Sequence, residues 1–498
     1  MSSKKAIVIG AGIAGIASAI RLAVQGFDVT VFEKNSQPGG KLSRIEINGY
    51  AFDAGPSLFT QPQNIEELFA LANEPMDAYF SYERLPVSCQ YFYEDGTQLT
   101  AFADIEKFET ELQQKHGEPA GALTGYLKQS ADVYNNIGSV FLNHSLHKLK
   151  TLFKAPVAKA LLRTKRKYLF GTMNAMHEKH FSNPKTVQLF NRYATYNGSS
   201  PYRAPGMLTL IPHVEHNEGV FYPKGGMHRI IKALYELAIK KGVQFHFDTA
   251  VQRIIQHDNK VHGIVANNEN IYADVVVSNM DVYFTYKHLL GNETKSKKLL
   301  KQERSSSALI FYWGIKQGFP QLGLHNILFS NQYKAEFDTL FKTKQLFKDP
   351  TVYINITSKC EEGTHAPNGK ENWFVMINVP ANVGQNWAIN NQQYRKAIIE
   401  KINRVLQTDI EPLIEAEEIL DPVLIESNTS SYRGSLYGTS SNTAGAAFLR
   451  HPNFTSQIKG LYFVGGSVHP GGGIPLCLQS AKIMASLVQH DFKKANKH

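Results

Sequence analysis

Apolar and polar positions along this 498-residue chain fall into short strand-like runs separated by helical stretches and glycine turns. Ala6-Ile7-Val8-Ile9 is continuously apolar and too short for a helix, so it predicts a buried strand. Gly10-Ala11-Gly12-Ile13-Ala14-Gly15 follows, and Ile13 to Gln25 then reads as a helix stopped by Gly26. Asp28 to Phe32 predicts a second strand, ending at Glu33. Much later, Met227 to Lys241 reads as a helix ended by Gly242, and Val243–Phe247, Ala250–Ile255 and Val261–Val265 alternate as strands. Ala273 to Val277 is a buried strand with Ser278 and Asn279 at its end. Near the C-terminus Gly460 to Val464 repeats the opening pattern: an apolar strand, a glycine run from Gly465 to Gly473, and a helix opening at Ile474-Pro475.

Strand, glycine turn and helix N-terminus together form a site for the pyrophosphate of a dinucleotide, because unpaired N–H groups and the positive helix end face the turn. Gly10, Gly12, Ala14 and Gly15 would line it, and Glu33 stands where a carboxylate accepts from a ribose hydroxyl. In an open α/β sheet ligands gather at the carboxyl ends of the strands, which places Asn279 near the cofactor. The second glycine run would point its N–H groups at something electron-rich other than the pyrophosphate.

Fifty-three basic against forty-three acidic residues leave a formal charge of +10, and its distribution is uneven. From Val133 to His177 there is no acidic residue, and Lys148, Lys150, Lys154, Lys159, Arg163, Lys165, Arg166 and Lys167 alternate with leucines and aromatics. Leu146–Phe170 is therefore expected to be a basic amphipathic segment that lies in an anionic membrane interface, with the solvated face of an ordinary helix as the alternative. No nucleic-acid-binding module accompanies the charge. Cys89, Cys360 and Cys477 fit no metal or redox spacing. No apolar run reaches the length of a membrane span, and Lys4-Lys5 leads straight into the first strand without a signal peptide. The expected location is cytoplasmic, attached to a membrane from that side.

His469-Pro470-Gly471, Gly473-Ile474 and Ser480, with Gly39-Gly40 after Glu33, resemble the signature of the bacterial-type carotenoid (phytoene) desaturase family of FAD flavoproteins. Phe221 to Met227, Val277 to Asp281 and Gly434 to Gly438 agree with it, so the resemblance runs the whole length. Val468 and Gly472 depart from the residues usual there. The resemblance implies an α/β fold: a Rossmann-type FAD-binding domain, as in glutathione reductase and amine oxidases, with a discontinuous α+β substrate domain. Residues 1–72, 221–281 and 456–498 would form the FAD domain, and 73–220 and 282–455 the substrate and membrane-associating domain.

Its chemistry would be desaturation of a linear C40 carotenoid by hydride transfer to flavin, and whole-chain similarity leans toward the branch acting at the 3,4 position of 1-hydroxycarotenoids. A phytoene desaturase, a redox-neutral carotenoid isomerase and a soluble amine oxidase share the frame. By resemblance Lys41 contacts phosphate, Ser57 and Leu58 lie beside the flavin, and Val251 holds the adenine. Gly465, Gly466, Ser467, Gly473, Ile474 and Pro475 would face the ring, where a helix dipole stabilises negative charge. His469 is a candidate proton-handling group, with a turn-stabilising role as the alternative. One glycine motif and no CxxC imply that electrons leave to oxygen or a quinone, not to a nicotinamide.

Overall fold

The computed structural model describes residues 4–138, 168 and 171–495. The basic segment expected to dock on membranes lies, except for Tyr168, outside the described residues.

Strand β1 (Lys5–Ile9), helix α1 (Ile13–Val24) and strand β2 (Asp28–Phe32) form where the apolar pattern predicts them. β1 is the centre of a five-stranded parallel sheet, ordered Leu461–Phe463, Val275–Ser278, β1, β2, Gln244–His246. Val8 pairs with Val277 on one side and Val31 on the other. Buried on both faces, these strands read as nearly unbroken valine and isoleucine runs. α1, His228–Lys240 and Ile474–Ala495 cover one face, and α1 packs against both of the others. A three-stranded antiparallel sheet of Val251–His257, Lys260–Ala266 and Glu269–Tyr272 packs on the other.

A second sheet of seven strands is ordered Ile414–Leu420, Ser307–Ile315, Glu371–Val379, Val352–Asn355, His325–Leu328, Val87–Phe92, Gln98–Phe102. It is antiparallel except where His325–Leu328 runs parallel to Val87–Phe92. Asp53, just before the loop that carries Ser57, ties that loop to the Phe221–Met227 stretch: its carboxylate accepts from the N–H groups of Met227 (2.7 Å) and His228 (2.9 Å), at the start of the helix His228–Lys240. Among the described residues no helix is long and apolar enough to cross a membrane, and the three cysteines are free.

Candidate functional site

The turn between β1 and α1 is held from beneath. Gly10 N–H donates to Phe32 O (2.8 Å), Gly39 N–H to Ala11 O (2.9 Å) and Ala11 N–H to Glu33 Oε2 (2.7 Å). Glu33 Oε1 accepts from Asn35 N–H (2.9 Å), so the buried carboxylate is fixed at the end of β2. No side chain caps α1, whose first-turn N–H groups are left for an anion. Gly15 does a different job from Gly12. A Cβ at Gly15 would meet Gly10 O at 2.0 Å, so it sets the closeness of helix to strand.

Asn279 sits between the two glycine turns. Its backbone N–H donates to Ile9 O (2.9 Å). A Cβ on Gly12 would come within 2.8 Å of its Nδ2, and one on Gly465 within 2.6 Å of its Oδ1. The end of the Val275–Ser278 strand thus carries a side chain that touches both turns. Ser480 Oγ accepts from Gly465 N–H (3.2 Å) and from Asn453 Nδ2 (2.9 Å), Ser467 Oγ accepts from Val282 N–H (3.0 Å), and Arg450 Nη1 donates to Gly466 O (3.3 Å). The second turn is therefore pinned from three directions.

One cavity of about 620 Å³ joins all of this. Gly10, Gly12, Ala14, Glu33, Lys41, Ser57, Leu58, Val251, Asn279, Gly465, Gly466, Ser467, Gly473, Ile474 and Pro475 all line it. Gly15 stands behind the wall. His469 is fully buried and does not line the cavity; its N–H donates to His451 O (2.8 Å) and its carbonyl accepts from Asn453 Nδ2 (2.8 Å), both contacts that shape the turn. Lys41 donates to Leu436 O (2.7 Å), and desolvation pulls its pKa down to about 8. Cys477 also lines the cavity, its thiol pushed up to about 11 by burial.

These residues fit a dinucleotide: a Cβ at Gly12 would press on the Asn279 amide at 2.8 Å, an uncapped helix end faces the cradle, and a carboxylate is fixed at its side.

Beyond Ser57 and Leu58 the cavity runs into the seven-stranded sheet, with Ala308, Ile310, Ile327, Phe374 and Met376 among its walls. Polar groups interrupt this apolar part at two places, and of their residues the sequence reading names only Ser57. In the first, Ser57 Oγ is 2.8 Å from the Tyr353 hydroxyl, which is 2.8 Å from His325 Nδ1. In the second, Arg192 donates to the hydroxyls of Tyr91 (2.6 Å) and Tyr196 (2.9 Å) and pairs with Glu215 Oε1 at 2.8 Å. Burial acts to raise the Glu215 carboxyl, but Arg192, His216 and two tyrosine hydroxyls outweigh it and hold it below the usual range. Glu336, also in the wall, is moved the other way, up to about 7, chiefly by burial. The spacing of Arg192, Tyr193 and Tyr196 on one short helical stretch is the only sequence signal of these groups, and it is weak.

Comparison with known proteins agrees along the full length. The family model for flavin containing amine oxidoreductase matches residues 13–489. A 1-hydroxycarotenoid 3,4-desaturase from Flavobacterium sp. (strain P99-3) is 54% identical over 97% of this chain and 99% of its own. A 4,4'-diaponeurosporene oxygenase from Staphylococcus haemolyticus (strain JCSC1435) is 32% identical over 98% and 97%. Among solved structures, an oxidoreductase from Methanosarcina mazei superimposes with a TM-score of 0.64 at 16% identity, covering 97% of this chain and all of that one, which bears on the fold alone. With its parallel sheet, paired glycine turns and a family match over nearly the entire length, the chain belongs to the flavin containing amine oxidoreductase family.

Proposed function

We propose that the protein is an FAD-dependent carotenoid desaturase whose substrate is a linear 1-hydroxycarotenoid, oxidised at the 3,4 bond. The observation that carries this is the 54% identity, over nearly all of both chains, to a 1-hydroxycarotenoid 3,4-desaturase. The cavity supports it, since one space leads from the glycine turns into walls of isoleucine, phenylalanine and methionine. FAD, when bound, supplies a two-electron acceptor: hydride leaves one allylic carbon for it, a proton leaves the neighbouring carbon, and a new C=C remains.

The chain's own residues bind and align. Gly10, Gly12 and the first turn of α1 hold the pyrophosphate, Glu33 a ribose hydroxyl, and Val251 the adenine end. Gly465 to Pro475 bring backbone N–H groups and a helix N-terminus to the ring, where they stabilise the negative charge left by reduction. Residues 1–72, 221–281 and 456–498 form the cofactor domain in this reading. The rest binds the polyene.

A polyene that crossed water would lose about 0.8 kcal/mol for each CH₂ exposed, so it is taken up from a bilayer. Leu146–Phe170 is the segment suited to anionic lipid, each basic residue near the surface contributing about 1 kcal/mol. Oxygen or a quinone is the electron acceptor, because FAD occupies the single glycine motif of the GxGxxG type.

The test is anaerobic mixing of the FAD-loaded protein with vesicles holding a 1-hydroxy linear carotenoid and no nicotinamide. The flavin absorbance should bleach as the polyene spectrum moves to the red, and oxygen or a soluble quinone should restore the flavin. A polyene altered only in its cis bands over an unbleached flavin would replace desaturation by isomerisation. Bleaching by an amine but by no polyene would make the protein an amine oxidase.

A further inference from the structure

Resting on the desaturase reading, we infer that Ser57 and Tyr353 form an acceptor pair that receives the hydroxyl hydrogen of the polyene, and that this pair sets specificity for an alcohol. The direction of each hydrogen bond follows from the surroundings. Asn355 Nδ2 donates to Leu324 O (3.1 Å), which fixes its amide orientation, since the reverse would set two oxygens against each other. The same Nδ2 lies 3.2 Å from His325 Nδ1, so that ring nitrogen is an acceptor. Burial lowers the His325 pKa to about 4, which keeps the ring neutral. Tyr353, the nearer partner at 2.8 Å, therefore donates its hydroxyl hydrogen to the single Nδ1 lone pair, which it shares with the more distant Asn355 amide, and its oxygen accepts from Ser57 Oγ–H.

Both hydroxyl hydrogens are committed, one to Tyr353 and one to His325, whereas both oxygens keep an unused lone pair. Ser57 and Tyr353 line the cavity and are only half-buried, while His325 behind them is 4% exposed. An opening that offers lone pairs and no hydrogen welcomes a donor. It rejects an ether, which has none, and gains nothing from a hydrocarbon. In a substrate with its oxygen on the first carbon and its reacting bond between the third and fourth, holding the oxygen also positions that bond. The pair is well placed for this, since Ser57 belongs to the loop that faces the same cavity as Gly473 to Pro475. His325 acts through Tyr353 and is a positioning residue.

Three linear polyenes of equal length, an alcohol, its methyl ether and the hydrocarbon, would be offered in vesicles to the FAD-loaded protein. Two quantities are read: the anaerobic bleaching rate, and binding to protein whose flavin is already reduced, followed by polyene absorbance. The alcohol should exceed both analogues by about three- to tenfold in rate and affinity, the range of one neutral hydrogen bond. Tyr353→Phe and Ser57→Ala should each erase that preference, the alcohol falling to the level of the hydrocarbon within the same variant. His325→Phe frees the Tyr353 hydrogen to turn into the cavity, so the ether should gain on the alcohol, a swing that loss of packing alone would not produce. Equal treatment of all three polyenes by the unmodified protein overturns the inference and leaves the desaturase reading intact. A preference that survives both Tyr353→Phe and Ser57→Ala overturns it too. If no polyene bleaches the flavin, the desaturase reading fails and this one falls with it.

Discussion

Gly15→Ala tests the cofactor cradle most sharply, because two opposing effects have known sizes. In a helix interior alanine is favoured over glycine by up to about 1 kcal/mol. Against this, the new Cβ would lie 2.0 Å from Gly10 O, where ordinary contact begins at 3.4 Å. The obstacle is backbone, so α1 must withdraw from β1 by about 1.4 Å. Overpacking of this kind costs about 1–3 kcal/mol, which outweighs the propensity gain. The same shift takes the first-turn N–H groups out of hydrogen-bonding range of a phosphate. Losing one charge-assisted hydrogen bond of about 1.5–3 kcal/mol weakens FAD by tenfold or more. Gly12→Ala provides the contrast, since its Cβ meets only the end of the Asn279 side chain, at 2.8 Å. That variant should keep the apo-protein melting temperature and lose flavin, whereas Gly15→Ala should lose both. Gly445→Ala, with open space around its Cβ, is the control and should change neither. Flavin content by absorbance and melting temperature by calorimetry decide. Gly15→Ala with the flavin content and melting temperature of the unmodified protein would refute the assignment of this turn.

Glu33→Arg removes the acceptors of the Ala11 and Asn35 N–H groups and should give a colourless, still partly folded protein, seen as lost absorbance of bound flavin. Glu336, 2% exposed, accepts from Thr351 N–H (2.9 Å) and Thr351 Oγ1–H (2.7 Å), and Lys401 and Asp349 are its charged neighbours. Because its carboxyl titrates near 7 when folded, the folded state holds a proton that the unfolded state releases near 4.5, and stability falls as pH rises between the two. Glu336→Gln should remove that slope, worth at most about 3 kcal/mol, and denaturant midpoints of the two proteins compared from pH 4.5 to 8 would show it. Changing Lys165, Arg166 and Lys167 to Glu should weaken flotation with anionic vesicles, and binding by the unmodified protein should fall with added salt; flotation indifferent to both leaves only the solvated-helix reading.

The cofactor half was legible in the sequence because its information is local. β1, the glycine turn, α1 and β2 follow one another within twenty-eight residues, and each break is marked by a residue with a physical reason to stand there. Asn279 was placed from one rule about strand ends, though not its position between both turns. The other half was opaque for the opposite reason. His325–Leu328 pairs in parallel with Val87–Phe92, more than two hundred residues away, and no periodicity announces such a partner. Phe221 to Met227 could be quoted as a motif, yet only the fold shows that the Asp53 carboxylate fixes its backbone. Single polar residues inside apolar strands, such as Tyr353 and His325, read as core aromatics until the structure lines them up.

Arg192 and Glu215 raise a physical question, since a buried charge beside a hydrocarbon substrate is costly. The pair answers it by leaving almost no field for the polyene to feel. Glu215 Oε1 accepts from Arg192 and from the Tyr193 hydroxyl (2.7 Å), and its second oxygen accepts from Tyr196. The guanidinium in turn is spread over Tyr91, Tyr196 and Glu215 and stacks near three tyrosine rings. Taking away one partner would strand the other charge, at about 3–5 kcal/mol, so neither residue is a candidate to move protons or bind substrate by charge. What the polyene meets there is Tyr196 and the edge of an Arg192 whose charge is already partnered. A polar end of the substrate is therefore left to neutral oxygens in the wall, and in the proposed reading those are the hydroxyls of Ser57 and Tyr353.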